Sequence, residues 1–335
     1  MSVNVVERQK IDPAGPGGSP VAHVRVSPRG DRIAFVAPQG PEAGLYVFDP
    51  TTGTRQIVPL EDFAIEDLAW SPDAQHLAYL RGGGPPGSHG HVGWSSSLAP
   101  GELGRTSAQS FAWTPKSNAL IVADPIEKAV FRAPLTGDRQ KLLDLPDDFD
   151  PQNAPKLSLS HDGTFIAATA RRSSDDLSEV WIIERVAGGI ESRILTQIPG
   201  SSLIVHPIWA PRTPTIALYM VHLEQEKTAI VAVPRLEGEG IVLYESDFID
   251  PGLRPAWSPT GRTIAFFGVE KAQNEFTKTG PARLFFLTDI AKDRPELLPV
   301  TEPGDLAGPL TFLDERRIAI DGGSLAHILS FAAPV

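Results

Sequence analysis

The chain has 335 residues, no cysteine and a formal net charge of −11. Disulfides and thiolate metal sites are therefore excluded. So large an excess of acid argues against broad nucleic-acid binding, which needs basic grooves for phosphate, and suits basic or cationic partners instead. Met1 to Arg8 holds no basic segment followed by an apolar run, and no stretch is long and apolar enough to span a bilayer. With no visible secretory signal the expected compartment is cytoplasmic by default, and periplasmic or extracellular if an upstream segment has been removed.

The chain opens on a free, strand-like Val3-Asn4-Val5-Val6 and then enters a repeat. Its first mark is Val26-Ser27-Pro28-Arg29-Gly30, followed by Ile33-Ala34-Phe35, Leu45-Tyr46-Val47-Phe48 and, after the turn Asp49 to Gly53, Arg55 to Val58. The second is Leu68-Ala69-Trp70-Ser71-Pro72-Asp73, followed by Leu77 to Leu80. Weaker copies follow at Trp113-Thr114-Pro115, Leu159-Ser160-His161-Asp162-Gly163 and Trp209-Ala210-Pro211, and a strong one at Trp257-Ser258-Pro259-Thr260-Gly261. Taking the turn serine as a ruler, the equivalents are Ser27, Ser71, Thr114, Ser160, Ala210, Ser258 and, less clearly, Phe312. They are spaced by roughly 43 to 54 residues, at or a little above the period of a four-stranded propeller blade. Short apolar runs broken by Gly, Pro and Asp turns read as all-β, and no segment has sustained helical periodicity.

Seven marks predict one all-β domain spanning residues 1–335, a seven-bladed β-propeller, with six blades as the structural alternative because the last unit is weak. Little chain is left after Phe331 for a fourth strand in that unit. The N-terminal strand is therefore expected to pair with the last blade and close the ring, since closure removes an unpaired sheet edge.

The pattern apolar-x-Trp-Ser-Pro-Asp-Gly, two residues, Ile-Ala-Phe, then Leu/Ile-Tyr-Val-x-Asp resembles the WD-like repeat of TolB-type β-propellers. Val26 to Asp49 and Ala256 to Leu287 match it best, and the seventh unit only through Asp314 to Ala319. The resemblance implies a fold but no single function, because that family includes periplasmic binding partners, scaffold modules and propellers attached to peptidases. Function has to come from sites.

Antiparallel blade geometry puts the connections between blades and the loops between second and third strands on one face, with the Ser-Pro turns opposite. The longer insertions, Gly82 to His91, Arg171 to Ser178 and Gly268 to Ala282, fall on the first face, where function is expected. So do three acidic Asp-Phe connections, with Asp62, Asp67, Asp148, Asp150, Asp247 and Asp250 as candidate binding residues and Phe63, Phe149 and Phe248 expected to pack between blades. Four residues before each mark stand His23, Asp67, Ser110, Lys156, His206, Arg254 and Gly308. They are mostly polar between apolar neighbours, so they are candidates to line the mouth of a central channel, around a peptide terminus, an anion or water alone.

Other motifs fail on inspection. Gly82 to Gly87 has the letters G-x-G-x-x-G, but Pro85-Pro86 prevents the helix a dinucleotide site requires. His89-Gly90-His91 offers two imidazoles and no third ligand, and Asp147 to Asp150 lacks calcium-loop spacing. No G-x-S-x-G elbow is present for a peptidase nucleophile. Trp70, Trp113, Trp209 and Trp257 share one repeat position, which points to packing; Trp94 is the tryptophan placed to touch a partner, beside a core reading.

The expected function is therefore a non-catalytic protein- or peptide-binding or scaffold propeller without metal or cofactor, possibly a subunit of a larger assembly. The alternative is a propeller hydrolase or lyase with a polar, metal-assisted site at the channel mouth, built from His23, Asp67, His206 and Arg254.

Overall fold

The computed structural model describes residues 3–39, 41–60, 64–82, 90–149, 155–172, 177–186, 189–198, 202–237, 240–269, 282–290, 295–300, 307–333 and 335. The first blade is made of β2 (Ala22–Val26), β3 (Ile33–Ala37), β4 (Gly44–Asp49) and β5 (Gly53–Pro59), after a leading strand β1 (Val5–Ile11). The second holds β6 (Ala64–Trp70), β7 (His76–Gly82), β8 (His91–Ser96) and β9 (Glu102–Ser107). The third holds β10 (Ser110–Trp113), β11 (Ala119–Asp124), β12 (Ala129–Pro134) and β13 (Gln140–Asp144). The fourth holds β14 (Leu157–Leu159), β15 (Phe165–Arg171), β16 (Ser178–Val186) and β17 (Gly189–Ile198). The fifth holds β18 (Ser202–Trp209), β19 (Ile216–His222), β20 (Lys227–Val233) and β21 (Ile241–Ser246). The sixth holds β22 (Ala256–Trp257), β23 (Ile264–Val269), β24 (Ala282–Thr288) and β25 (Glu296–Pro299). The seventh runs β26 (Leu310–Phe312), β27 (Arg317–Asp321), β28 (Ala326–Phe331) and then β1.

Seven antiparallel four-stranded sheets make this a seven-bladed β-propeller, and the six-bladed alternative falls away. As expected, the N-terminal strand completes the last blade, with Val5 opposite Phe331 and Ile11 opposite Ala326. It is longer than its apolar start suggests. Glu7 to Lys10 carry it on as an exposed polar outer strand, and a bulge after Val5 turns Val6 out to solvent.

The chain clusters into two compact units: Asp12–Gln197 with Gly323–Leu325, and Met1–Ile11 with Ile198–Gly322 and Ala326–Val335. In the first, cores lie between successive blades, as where Ala34, Val36 and Val47 meet Leu68, Trp70 and Leu77. In the second, Tyr219 and Ile230 meet Phe266 and Phe285.

Five of the repeat turns are built the same way. The hydroxyl of the mark accepts the backbone N–H five residues on: Arg32 to Ser27, His76 to Ser71, Ala119 to Thr114, Phe165 to Ser160 and Thr263 to Ser258, at 2.9–3.2 Å. Three residues after the mark the backbone takes positive φ, supplied by Gly30, Gly163 and Gly261 but by Ala74 and Ser117 elsewhere. In the seventh blade the corresponding backbone bond starts at the Leu313 N–H and ends at Arg317 O, so the mark falls one residue after Phe312 and the turn is one residue shorter.

At three marks the preceding tryptophan ties its blade to the one before. Indole N–H groups of Trp70, Trp113 and Trp257 donate to the carbonyls of Arg25, Ala69 and Ile208, at 3.1, 3.2 and 3.3 Å. Each acceptor lies two residues before the preceding mark, so at these three junctions one residue type satisfies the equivalent main-chain oxygen. Trp94 is buried in the core between the second and third blades.

Candidate functional site

The polar positions four residues before the marks sit on or beside the innermost strand of each blade, and three of those strands are bulged. In β2, His23 and Val24 stand between the paired Ala22 and Arg25. In β6 the extra residue is Glu66, and in β18 His206 and Pro207 stand between the paired Val205 and Ile208. His23 and His206 both have positive φ, near 50°. A bulge with a left-handed residue re-aims a side chain that regular pleating would turn elsewhere.

In the first unit this creates a mixed-charge group from two adjacent blades. Arg25, with a side chain only 15% exposed, donates through Nε to Leu68 O at 3.1 Å and holds Nη2 3.7 Å from Asp67 Oδ1. Asp67 caps the Leu68 N–H at 2.8 Å while its side chain stays 58% exposed. His23 is half-buried beside them. Burial first, then the Arg25 charge, lowers its pKa below the usual imidazole value, with Asp67 opposing. Lys156 is exposed immediately before β14, and its main chain is clamped to Thr169. Ser110 begins β10 with its hydroxyl buried and without a hydrogen-bond partner among the described residues.

In the second unit His206 packs edge-on against Tyr219, ring centres 6.1 Å apart. Tyr219 is fully buried, and its hydroxyl finds no hydrogen-bond partner among the described residues. Burial, with the Asp250 charge added, drives its pKa well up. Arg254 is exposed just before β22. Gly308 is not a polar lining group: it is buried, and a Cβ there would meet the Asp321 carbonyl oxygen at 1.6 Å.

Blade connections and second-to-third-strand loops do share a face. Phe149 bridges Arg172, and Ile249 bridges Gly268. Phe149 is buried between the third and fourth blades, and Phe248 packs tilted against Phe285, ring centres 5.0 Å apart. Among the acids, Asp148 receives Arg172 Nε at 3.0 Å. Arg172 also lies 3.6 Å from Glu179, a fully buried carboxylate that accepts from Trp181 Nε1 and Gln197 Nε2 at 2.8 and 2.6 Å. Asp250 caps Gly252, and Asp247 takes the Ser246 hydroxyl at 3.5 Å. Asp62 and Asp150 lie outside the described residues, as do His89 and most of the Gly82 to His91 and Gly268 to Ala282 insertions.

Sequence reading missed Arg25, Arg172, Glu179 and Tyr219. Arg25 had a signal, being two residues from His23 on the same strand. Arg172 and Glu179 had none, because their partners are set by the fold. Among the described residues no three His, Asp or Glu side chains gather as a metal site, and no helix is long and apolar enough to cross a membrane.

No family model matches the sequence, and no curated protein matches it. Solved structures share the fold. A prolyl endopeptidase aligns with a TM-score of 0.62 at 13% identity, over 92% of this chain and 46% of its own. Prolyl oligopeptidase B from Galerina marginata gives 0.63 at 10% identity, over 94% of this chain and 49% of its own. The chain thus spans about half the length of these peptidases. A chain of the mitotic checkpoint complex aligns at 0.60 and 11% identity, over 99% of this chain and 93% of its own. At these identities the likeness is one of fold: the protein is a β-propeller similar in architecture both to peptidase propellers and to a propeller of a regulatory complex.

Proposed function

We propose that the protein is a non-catalytic binding or scaffold propeller that recognises a protein or peptide segment on the face carrying the blade connections. The supporting observation is the presentation of His23, Arg25 and Asp67 from bulged inner strands of two neighbouring blades. A cation, a carboxylate and an imidazole, held by main-chain bonds and partly exposed, suit the charged groups and polar backbone of an extended segment. The full-length match to a chain of a multiprotein complex fits the same reading, including a place as a subunit of a larger assembly. The repeat residues favour a place among the TolB-type propellers.

The test is affinity capture from the native source, comparing wild type with Asp67→Ala and Asp148→Ala and with Lys116→Ala on the opposite face. Loss of a shared set of partners in the first two only is expected; identical recovery by all four overturns the reading. A second reading, a hydrolase or lyase with His23 and Asp67 among its polar groups, draws on the endopeptidase and oligopeptidase neighbours. Turnover of peptide substrates by the purified chain, abolished by His23→Asn, would establish it.

A further inference from the structure

The outer strand of the fourth blade, β17, differs from the other blade edges. It has 10 residues, and the six from Gly189 to Ile194 are all exposed. It is the last strand of its sheet, so its outer edge pairs with no strand among the described residues. Natural edge strands are usually short, bulged or crowded with like charge, because an unpaired row of N–H and C=O groups is a template for another strand. Other outer strands follow that rule: β13 has 5 residues, β25 has 4, and β5, β9 and β21 are interrupted by bulges.

The residues on this edge are self-complementary. Ile190-Glu191-Ser192-Arg193-Ile194 is a chemical palindrome centred on Ser192, with an anion and a cation one step to either side and an isoleucine two steps out. A two-fold axis through Ser192 would make an antiparallel pair in which Glu191 faces Arg193 of the second copy, twice, and Ile190 faces Ile194, twice. Directly opposed residues interact most strongly across strands, where opposite charges and β-branched pairs are favourable and like charges are not. A two-fold contact is necessarily isologous, and this segment supplies both halves. A parallel partner, or a register moved by two residues, would place Glu191 and Arg193 against uncharged residues or their like.

We propose that β17 pairs edge to edge with β17 of a second copy of this chain, in antiparallel register centred on Ser192, forming a weak, reversible dimer. It joins two blades into one continuous eight-stranded sheet and leaves the proposed binding face outside the contact, so it stands apart from that reading. One pair of strands buries less surface than a standard stable interface, so half-association is expected at roughly 10–100 μM.

Charge exchange and cross-linking test both the contact and its register. Sedimentation velocity of the full chain over a concentration series should show reversible dimerisation. Glu191→Arg or Arg193→Glu alone, each placing like charges opposite one another, should raise the dissociation constant at least tenfold. The double variant Glu191→Arg, Arg193→Glu restores both opposed pairs and should restore wild-type association. Because the chain has no cysteine, Ser192→Cys gives one thiol per copy. Opposed antiparallel residues lie about 4.5–5.5 Å apart at Cα, within disulfide range. Mild oxidation should therefore convert Ser192→Cys to covalent dimer far faster than Lys116→Cys. Equal cross-linking at the two sites, a monomer throughout the series, or a double variant that stays as weak as the single ones overturns the proposal.

Discussion

Two buried tryptophans separate the contribution of the inter-blade hydrogen bond from that of packing. Trp70 is 8% exposed, donates to Arg25 O at 3.1 Å and carries the Arg32 guanidinium 5.3 Å from its ring centre. Trp70→Phe leaves that carbonyl without its indole donor, at about 1–2 kcal/mol. Lost ring volume adds about 1 kcal/mol and the weakened cation contact about 0.5. The expected loss is thus about 2–4 kcal/mol. Trp94 is equally buried, at 6%, yet its Nε1 has no hydrogen-bond partner among the described residues. Trp94→Phe removes an unsatisfied donor together with similar volume, so the two effects oppose and the expected loss is about 1 kcal/mol or less. Urea unfolding followed by far-UV circular dichroism compares midpoints at unchanged slope. Equal losses, within about 0.5 kcal/mol, would refute the assignment of Trp70 as a hydrogen-bonded tie between blades.

Four other outcomes follow from the same structure. Ser71→Ala removes the acceptor for the His76 N–H and the donor to Asp73 at a fully buried position, and should cost about 1–2 kcal/mol in urea unfolding. Glu179→Ala leaves Trp181, Gln197 and Arg172 facing a buried void, and should cost about 3–5 kcal/mol; a loss under 1 would contradict the buried network. Deleting residues 1–11 strips β28 of its outer partner, and size-exclusion chromatography should show aggregation; a monodisperse protein with unchanged melting temperature would deny the closing role of β1. His23 has a folded-state pKa below its unfolded value, so its contribution to stability is present above about pH 6.5 and is lost as pH falls through the folded value. His23→Asn, which tolerates the positive φ, should flatten that part of the melting-temperature profile between pH 7 and 5; an unchanged profile would argue that His23 is already free to titrate.

The architecture was legible because its signals are local. Trp70-Ser71-Pro72-Asp73 and its relatives each complete a turn within six residues, and the strands on either side alternate with period two. The closing strand could be placed because the last unit lacked a fourth strand, yet its length was hidden: Glu7 to Lys10 lie on an outer edge where no apolar alternation is required. The mark at Leu313 was displaced by one residue because Leu313-Asp314 has neither the serine nor the proline of its relatives. The site was less legible. A bulge adds one residue without erasing alternation, so His23-Val24-Arg25 reads as an ordinary strand although its register breaks there. The partners of Arg172, Asp148 and Glu179, come from opposite sides in sequence and meet only once the fourth blade has folded.

The pairing of β1 with β28 also sets a schedule. Val5 is synthesised more than 300 residues ahead of Phe331, the residue it faces in the finished sheet. At ordinary elongation rates of about 5–20 residues per second, β1 waits roughly 15–65 s for its partner. Throughout that interval the nascent chain carries an unpaired N-terminal strand, while earlier blades with wholly local strands are free to form. The seventh blade can be completed only after β28 has been made. A chaperone, or a fused N-terminal partner that holds β1 away from neighbouring chains, would therefore raise the yield of soluble protein more than the same aid given at the C-terminus.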